Sequence, residues 1–140
     1  MLFRSLGFLR ALEVLPPHLN AMGQQAKAFK GELVVWANIQ GPAGLDIKDP
    51  VSGEELSSTV RSALKAKGCC LLHVDHKNDE RGDHWVLAHS LSDIDDFICS
   101  DPATGDDVII SKDTLRGATT WVNEPKIYTV RMARPVFPIT

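Results

Sequence analysis

What this chain has little of bounds it first. Its 140 residues include three cysteines, Cys69 and Cys70 side by side and Cys99 alone. Such a set is no disulfide framework, so reduced thiols and a reducing compartment are expected. Positive charge is not in surplus: the net charge is −3. That argues against a nucleic-acid partner, because phosphate binding calls for a basic excess. No apolar run is long enough to span a bilayer, so no membrane partner is expected. Internal repeats and low-complexity stretches are absent as well.

The N-terminal MLFRSLGFLRALEVL looks loosely like a signal peptide. Arg10 and Glu13 interrupt its apolar run, however, and no small-residue cleavage site follows. It reads better as an amphipathic helix carrying Leu2, Leu6, Leu9 and Leu12 on one stripe, ended by Pro16 and Pro17.

What is present is ordinary for one globular domain: 44% hydrophobic and 24% charged residues. We expect a single α+β domain over residues 1–140, with a helical part in 1–50 and a sheet part in 51–140. A second, weaker helix is expected over His18–Phe29. ELVVWANIQ is a strand or a buried helical turn, and GPAGLDIKDPVSG reads as a loop on its glycines and prolines. Ser52 and Glu55 have capping-box spacing ahead of a helix whose apolar face is Leu56, Val60, Ala63 and Leu64, stopped by Gly68. CCLLHVD is a strand and HKNDERGD a polar loop. Further strands are expected at Asp107–Ser111 and Lys126–Ala133, with RPVFPIT lying along the surface.

The chemistry is expected in GDHWVLAHSLSDIDDFICSDPATG, residues 82–105, read as two strands joined by an acidic turn. If they pair, His84 at the start of the first and Asp101 at the end of the second emerge at one end of the sheet. A histidine and a carboxylate so placed form the base and orienter of a nucleophilic hydrolase. On spacing alone, a strand-entry histidine beside an Asp-Pro turn is the plainer reading. Gly105 fits a turn that needs positive φ.

The arrangement of AKGCCLLHVD, HWVLA and DFICSDPATG, with LPPHLNAMGQQAKAFKGELVVWANI upstream, resembles the papain-like cysteine peptidases. It is closest to the branch that cleaves double-glycine leader peptides and to that branch's bacterial and phage relatives. The resemblance runs from Leu2 to Trp121. It implies a papain-like fold, with N-terminal helices packed on a twisted antiparallel sheet. His84 becomes the general base and Asp101 the residue that orients its ring. The family's nucleophile is a cysteine at the start of the first helix. When Ser5 is matched to the family's helix serine, that position falls at about Met1, and the oxyanion glutamine falls outside the sequence.

By the resemblance Cys69 and Cys70 sit where the family has an apolar strand, so at least one of them is expected to be buried and inert. Cys99 shares a face with Asp101 and is the one substitute candidate for nucleophile, although a mid-strand thiol lacks a helix dipole and an oxyanion hole. Ser5 is explained as a cap or polar-face residue. His73, Asp75, His76, His84 and His89 are dense along the chain but have no metal-ligand spacing, so neither metal nor cofactor is expected. Trp36, Trp85 and Trp121 read as core, with Trp85 alternatively shielding the His–Asp bond.

Two functions of different class follow. In the first, favoured by the missing helix cysteine, the chain is a catalytically incomplete peptidase-like domain. It then serves as a binding or structural module for a peptide or protein partner, for instance within a phage or bacterial assembly, in the cytoplasm or a virion. In the second it is an active thiol peptidase cleaving peptide or peptidoglycan cross-link bonds.

Overall fold

The computed structural model describes residues 45–120 and 123–138, together with Pro16 and Asn20. Both isolated residues are helical, as expected of Asn20, whereas Pro16 was expected to end a helix. A proline is compatible with a helix's first turn, where its missing N–H would have no partner anyway. The readings of the N-terminal helix, of Ser5, of ELVVWANIQ and of Trp36 and Trp121 fall outside the described residues.

Seven strands form one antiparallel sheet: β1 (Leu45–Ile47), β2 (Cys69–Asp75), β3 (His84–Leu91), β4 (Phe97–Ser100), β5 (Asp107–Ile110), β6 (Arg116–Ala118) and β7 (Ile127–Pro138). The helix α1 (Leu56–Lys65) leads into β2. The class is α+β. Strands β2 to β5 form the expected meander. The chain then returns so that β7 lies between β2 and β1, giving the order β1-β7-β2-β3-β4-β5 with β6 on β7. The sheet curls until β5 rests against β6. At Gly117 of β6 a Cβ would stand 2.2 Å from the Ile109 carbonyl oxygen of β5, so only glycine fits there.

The 3.6-residue periodicity of α1 does what it promises. Leu56, Val60 and Ala63 are buried against Cys70, Leu72, Val86 and Val130 on the inner face of the curl. Burying Leu56 and Val60 supplies about 4 kcal/mol before conformational entropy is charged. The capping box does not form. Ser52 makes no side-chain cap bond, because Gly53 takes φ 77° and a 3-10 turn over Gly53–Glu55 leads into the helix.

The helix end is a Schellman motif: the Gly68 amide donates to the Ala63 carbonyl at 2.9 Å, and that of Lys67 to Leu64 at 3.3 Å. The left-handed residue is Lys67, at φ 65°. Gly68 is needed for a different reason, since a Cβ there would lie 2.5 Å from the Phe137 ring.

Two further readings are corrected. Leu45–Ile47, expected in a loop, is β1, pairing with Val136–Pro138. The C-terminal segment expected on the surface is the second half of β7, with Val136 fully buried. Among the described residues no helix is long and apolar enough to cross a membrane.

Candidate functional site

Register decides which side chains meet. Leu87 of β3 pairs with Ser100 of β4, so the next position sets Val86 opposite Asp101. His84 lies two residues further along β3 on that same face, within reach of a diagonal neighbour. At Asp101 the chain leaves the ladder for a turn. The Gly105 amide donates to the Asp101 carbonyl at 2.9 Å, and the Asp101 amide donates to Asp106 at 3.1 Å. Gly105 takes φ 76° there, as expected of it. The turn leaves the carboxylate pointing back along β3.

His84 Nε2 and Asp101 Oδ1 are 2.7 Å apart, with the imidazole 14% exposed and the carboxylate 1%. The same Oδ1 accepts the Ala103 amide at 3.0 Å. From β7 the Tyr128 hydroxyl donates to Oδ2 at 2.9 Å, and its ring lies 5.3 Å from that of His84, tilted by 46°. Burial alone would raise the Asp101 carboxyl. The bonds from His84, Ala103 and Tyr128 outweigh it and hold the group below the usual carboxylate range. Burial, with the carboxylate beside it, pushes the Tyr128 phenol up, so it stays a donor. A neutral His84 that donates from Nε2 keeps Nδ1 as its basic nitrogen. Among the described residues nothing bonds to that nitrogen.

The strand carrying His84 is held from outside the sheet. Beyond Leu87, β3 has lost its β4 partner, and the Asn20 side chain takes that place. Its Oδ1 accepts the Trp85 amide at 2.7 Å and its Nδ2 donates to the Trp85 carbonyl at 3.3 Å. One helical residue thereby bonds to both backbone groups of Trp85, next to the histidine.

Trp85 itself is buried, as expected, but it does not shield the His–Asp bond. Alternation sends it to the opposite face, where it stacks on His73 at 4.1 Å and 8°. Burial pulls the His73 imidazole down to about 4, with Asp83 opposing and His84 adding to the effect. His73 is therefore neutral near pH 7.

Beside this lies a second polar cluster at the mouth of the loop between β2 and β3. Asp75, fully buried, accepts the amides of Lys77 and Asn78 on Oδ1, and the amide of Glu80 and two nitrogens of Arg131 on Oδ2, all within 3.1 Å. Burial again works upward on its carboxyl, and Arg131 with the three amides overrides it, leaving it below the usual value. His76 Nδ1 meets Asp83 Oδ1 at 2.6 Å. Asp83 Oδ2 is a buried acceptor with no donor among the described residues. One carboxylate oxygen each from Asp75, Asp79 and Asp83 lies within 4.8 Å of the others. The donor set does not suit a cation, because both Asp75 oxygens are already saturated and a guanidinium charge sits on one of them. His89 occupies a bulge in β3, is exposed and reaches Asp107 at 3.4 Å, away from the other histidines.

Of the residues expected to carry chemistry, the fold brings His84 and Asp101 together and leaves Cys99 apart. Cys99 pairs with Ala88, four residues along β3 from His84, or about 13 Å at the rise of a strand. It is fully buried, its Sγ faces the Phe97 carbonyl at 3.7 Å, and burial drives its thiol far above the ordinary value. Cys69 and Cys70 are buried too, and that burial pushes their thiols up to about 11 and about 12. All three cysteines of the sequence are thus inert by position.

Tyr128 and Asn20 went unassigned in the sequence reading. Tyr128 is the chain's single tyrosine, and a buried phenol in a strand always needs an acceptor, which was the available signal. Compared with family models, with curated proteins and with solved structures, the chain finds no match in any of the three.

Proposed function

We propose that this chain is a papain-like, cysteine-peptidase-like domain that holds the base half of the peptidase machinery and no thiol nucleophile. It serves as a binding or structural module for a peptide or protein partner. The observation that carries this reading is the conjunction of a complete His84–Asp101 pair with the burial of every thiol in the sequence. The hairpin opened by the histidine and closed by Asp-Pro supports the papain-like assignment.

A second reading is favoured by one feature, the Nδ1 of His84 left without a partner among the described residues while Nε2 is anchored. In that reading the domain is an active thiol hydrolase acting on peptide or peptidoglycan cross-link bonds. His84 Nδ1 takes the proton of a thiol from outside the described residues, and the thiolate attacks the substrate carbonyl. The imidazolium then protonates the leaving amine while Asp101 holds the ring.

Alkylation of the protein in its native assembly by iodoacetamide, read by mass spectrometry on every chain present, separates the two. The module reading expects Cys69, Cys70 and Cys99 to stay unlabelled until denaturant is added. Rapid labelling of a native cysteine, abolished by His84→Ala at unchanged melting temperature, overturns it in favour of the enzyme.

A further inference from the structure

We infer that Tyr128 is a positioning residue for His84. By holding Asp101 Oδ2, its hydroxyl sets how strongly the carboxylate grips the protonated imidazole. Resting on the reading of His84 as the base, the inference concerns how that base is tuned.

The argument is one of shared charge. Asp101 has a single negative charge and three donors: His84 Nε2 and the Ala103 amide on Oδ1, and Tyr128 on Oδ2. All three stabilise the carboxylate, so each weakens its appetite for the others. Two of the three cannot be varied independently of the histidine or the backbone. The Ala103 amide is set by the turn, and His84 is the group whose proton comes and goes. Tyr128 alone can alter the basicity of the carboxylate without touching the histidine. It approaches from β7, across the curl from β3 and β4, so its oxygen is placed by the sheet and not by a loop.

Among the described residues, the other titratable groups that act on this cluster are Asp83, which precedes β3, and His73 on β2. Asp83 is tied to His76, and His73 is neutral near pH 7. Neither donates to Asp101. Removing the phenol hydroxyl leaves Asp101 a stronger acceptor for His84, and strengthening the phenol as a donor leaves it a weaker one.

Because the sequence contains one tyrosine, growth on 3,5-difluorotyrosine alters position 128 alone. The probe is the titration of the His84 ring resonances by NMR between pH 5 and 8. The inference expects Tyr128→Phe to move the midpoint to higher pH. The difluorotyrosine protein, whose phenol is the stronger donor, should move it to lower pH. General loosening of the fold would not produce shifts of opposite sign. A midpoint unchanged in both proteins, or moved in the same direction in both, overturns the inference. Should Tyr128→Phe fail to fold, the difluorotyrosine protein decides alone: a downward shift supports the inference, and no shift or an upward one sinks it. The iodoacetamide experiment judges His84 as a base separately, since this titration is read whether or not any thiol reacts.

Discussion

Replacing Asp101 with alanine removes the one acceptor shared by three donors, and its cost can be worked through. The Tyr128 hydroxyl lies in the core and loses its only hydrogen bond found among the described residues. A buried donor left without a partner costs about 1–3 kcal/mol. The Ala103 amide sits in a half-exposed turn and the His84 ring is 14% exposed, so water recovers part of what those two lose. Taking the phenol near the middle of its range and discounting the others gives about 3 kcal/mol. That is the lower edge of what breaking a buried charged pair costs.

In a domain of this size such a loss lowers the melting temperature by roughly 10 °C. The pH dependence is the sharper test. Asp101 titrates lower in the folded chain than in the unfolded one. Its contribution is therefore complete above the unfolded value and is lost as pH falls through the folded one. Urea unfolding of the wild-type and Asp101→Ala chains should show the full gap at pH 7 and a narrowing one below about pH 4. A gap under about 1 kcal/mol at pH 7, or one that widens in acid, would refute the idea that the carboxylate is ionised and satisfied in the native state.

Two further perturbations probe the frame around the site. Gly117→Ala places a methyl group 2.2 Å from the Ile109 carbonyl and should cost about 2 kcal/mol by prying β6 from β5. A urea midpoint that does not move would mean that the two strands are not in contact. Asp75→Ala strands Arg131 and three loop amides, and should cost about 3 kcal/mol at neutral pH. It should also speed hydrogen exchange at Lys77, Asn78 and Glu80; unchanged exchange there would show that the carboxylate does not hold the loop. As with Asp101, the carboxyl is held low in the folded state, so this penalty should fade on acidification through that range.

The elements that could be read from the sequence were those whose own pattern matches their burial. Leu56, Val60 and Ala63 repeat at helical spacing, and α1 buries that stripe. CCLLHVD became β2 at the limits expected of it. The histidine and the Asp-Pro turn frame their hairpin, so once the two strands pair in register, period-two alternation puts His84 and Asp101 on one face.

The misreadings occurred where partners distant in sequence overrule local preference. The glycines and prolines of GPAGLDIKDPVSG make residues 45–48 look like a loop, and two prolines make Arg134–Pro138 look like a surface tail. Each supplies the other with a strand partner: Leu45 pairs with Pro138, and the Lys48 amide donates to the Pro135 carbonyl at 2.8 Å. Ser52 and Glu55 have the spacing of a box, but the backbone at Gly53 turns the wrong way for one. Tyr128 lies 27 residues from Asp101 along the chain, and only the return of β7 across the curl puts its hydroxyl on the carboxylate.

That return bears on what the network is for. A fold that needed only to be stable has little use for a buried carboxylate gripped by an imidazole and a phenol. Replacing such a set together with apolar groups of the same shape is commonly neutral or stabilising, whereas removing one member is costly. Stability thus explains why no member can be lost singly, but not why the three are present at all. The second buried carboxylate makes the contrast. Asp75 binds three loop amides, those of Lys77, Asn78 and Glu80, and a guanidinium, and so has an evident structural task in closing the turn between β2 and β3. Asp101 has one such bond, to Ala103, and spends its remaining capacity on two side chains. One of these, His84, keeps a basic nitrogen that bonds to nothing else among the described residues. An imidazole anchored at Nε2, with Nδ1 unbonded among the described residues, suits a donor brought to it. In the module reading that donor belongs to the bound peptide, and in the hydrolase reading it is a thiol.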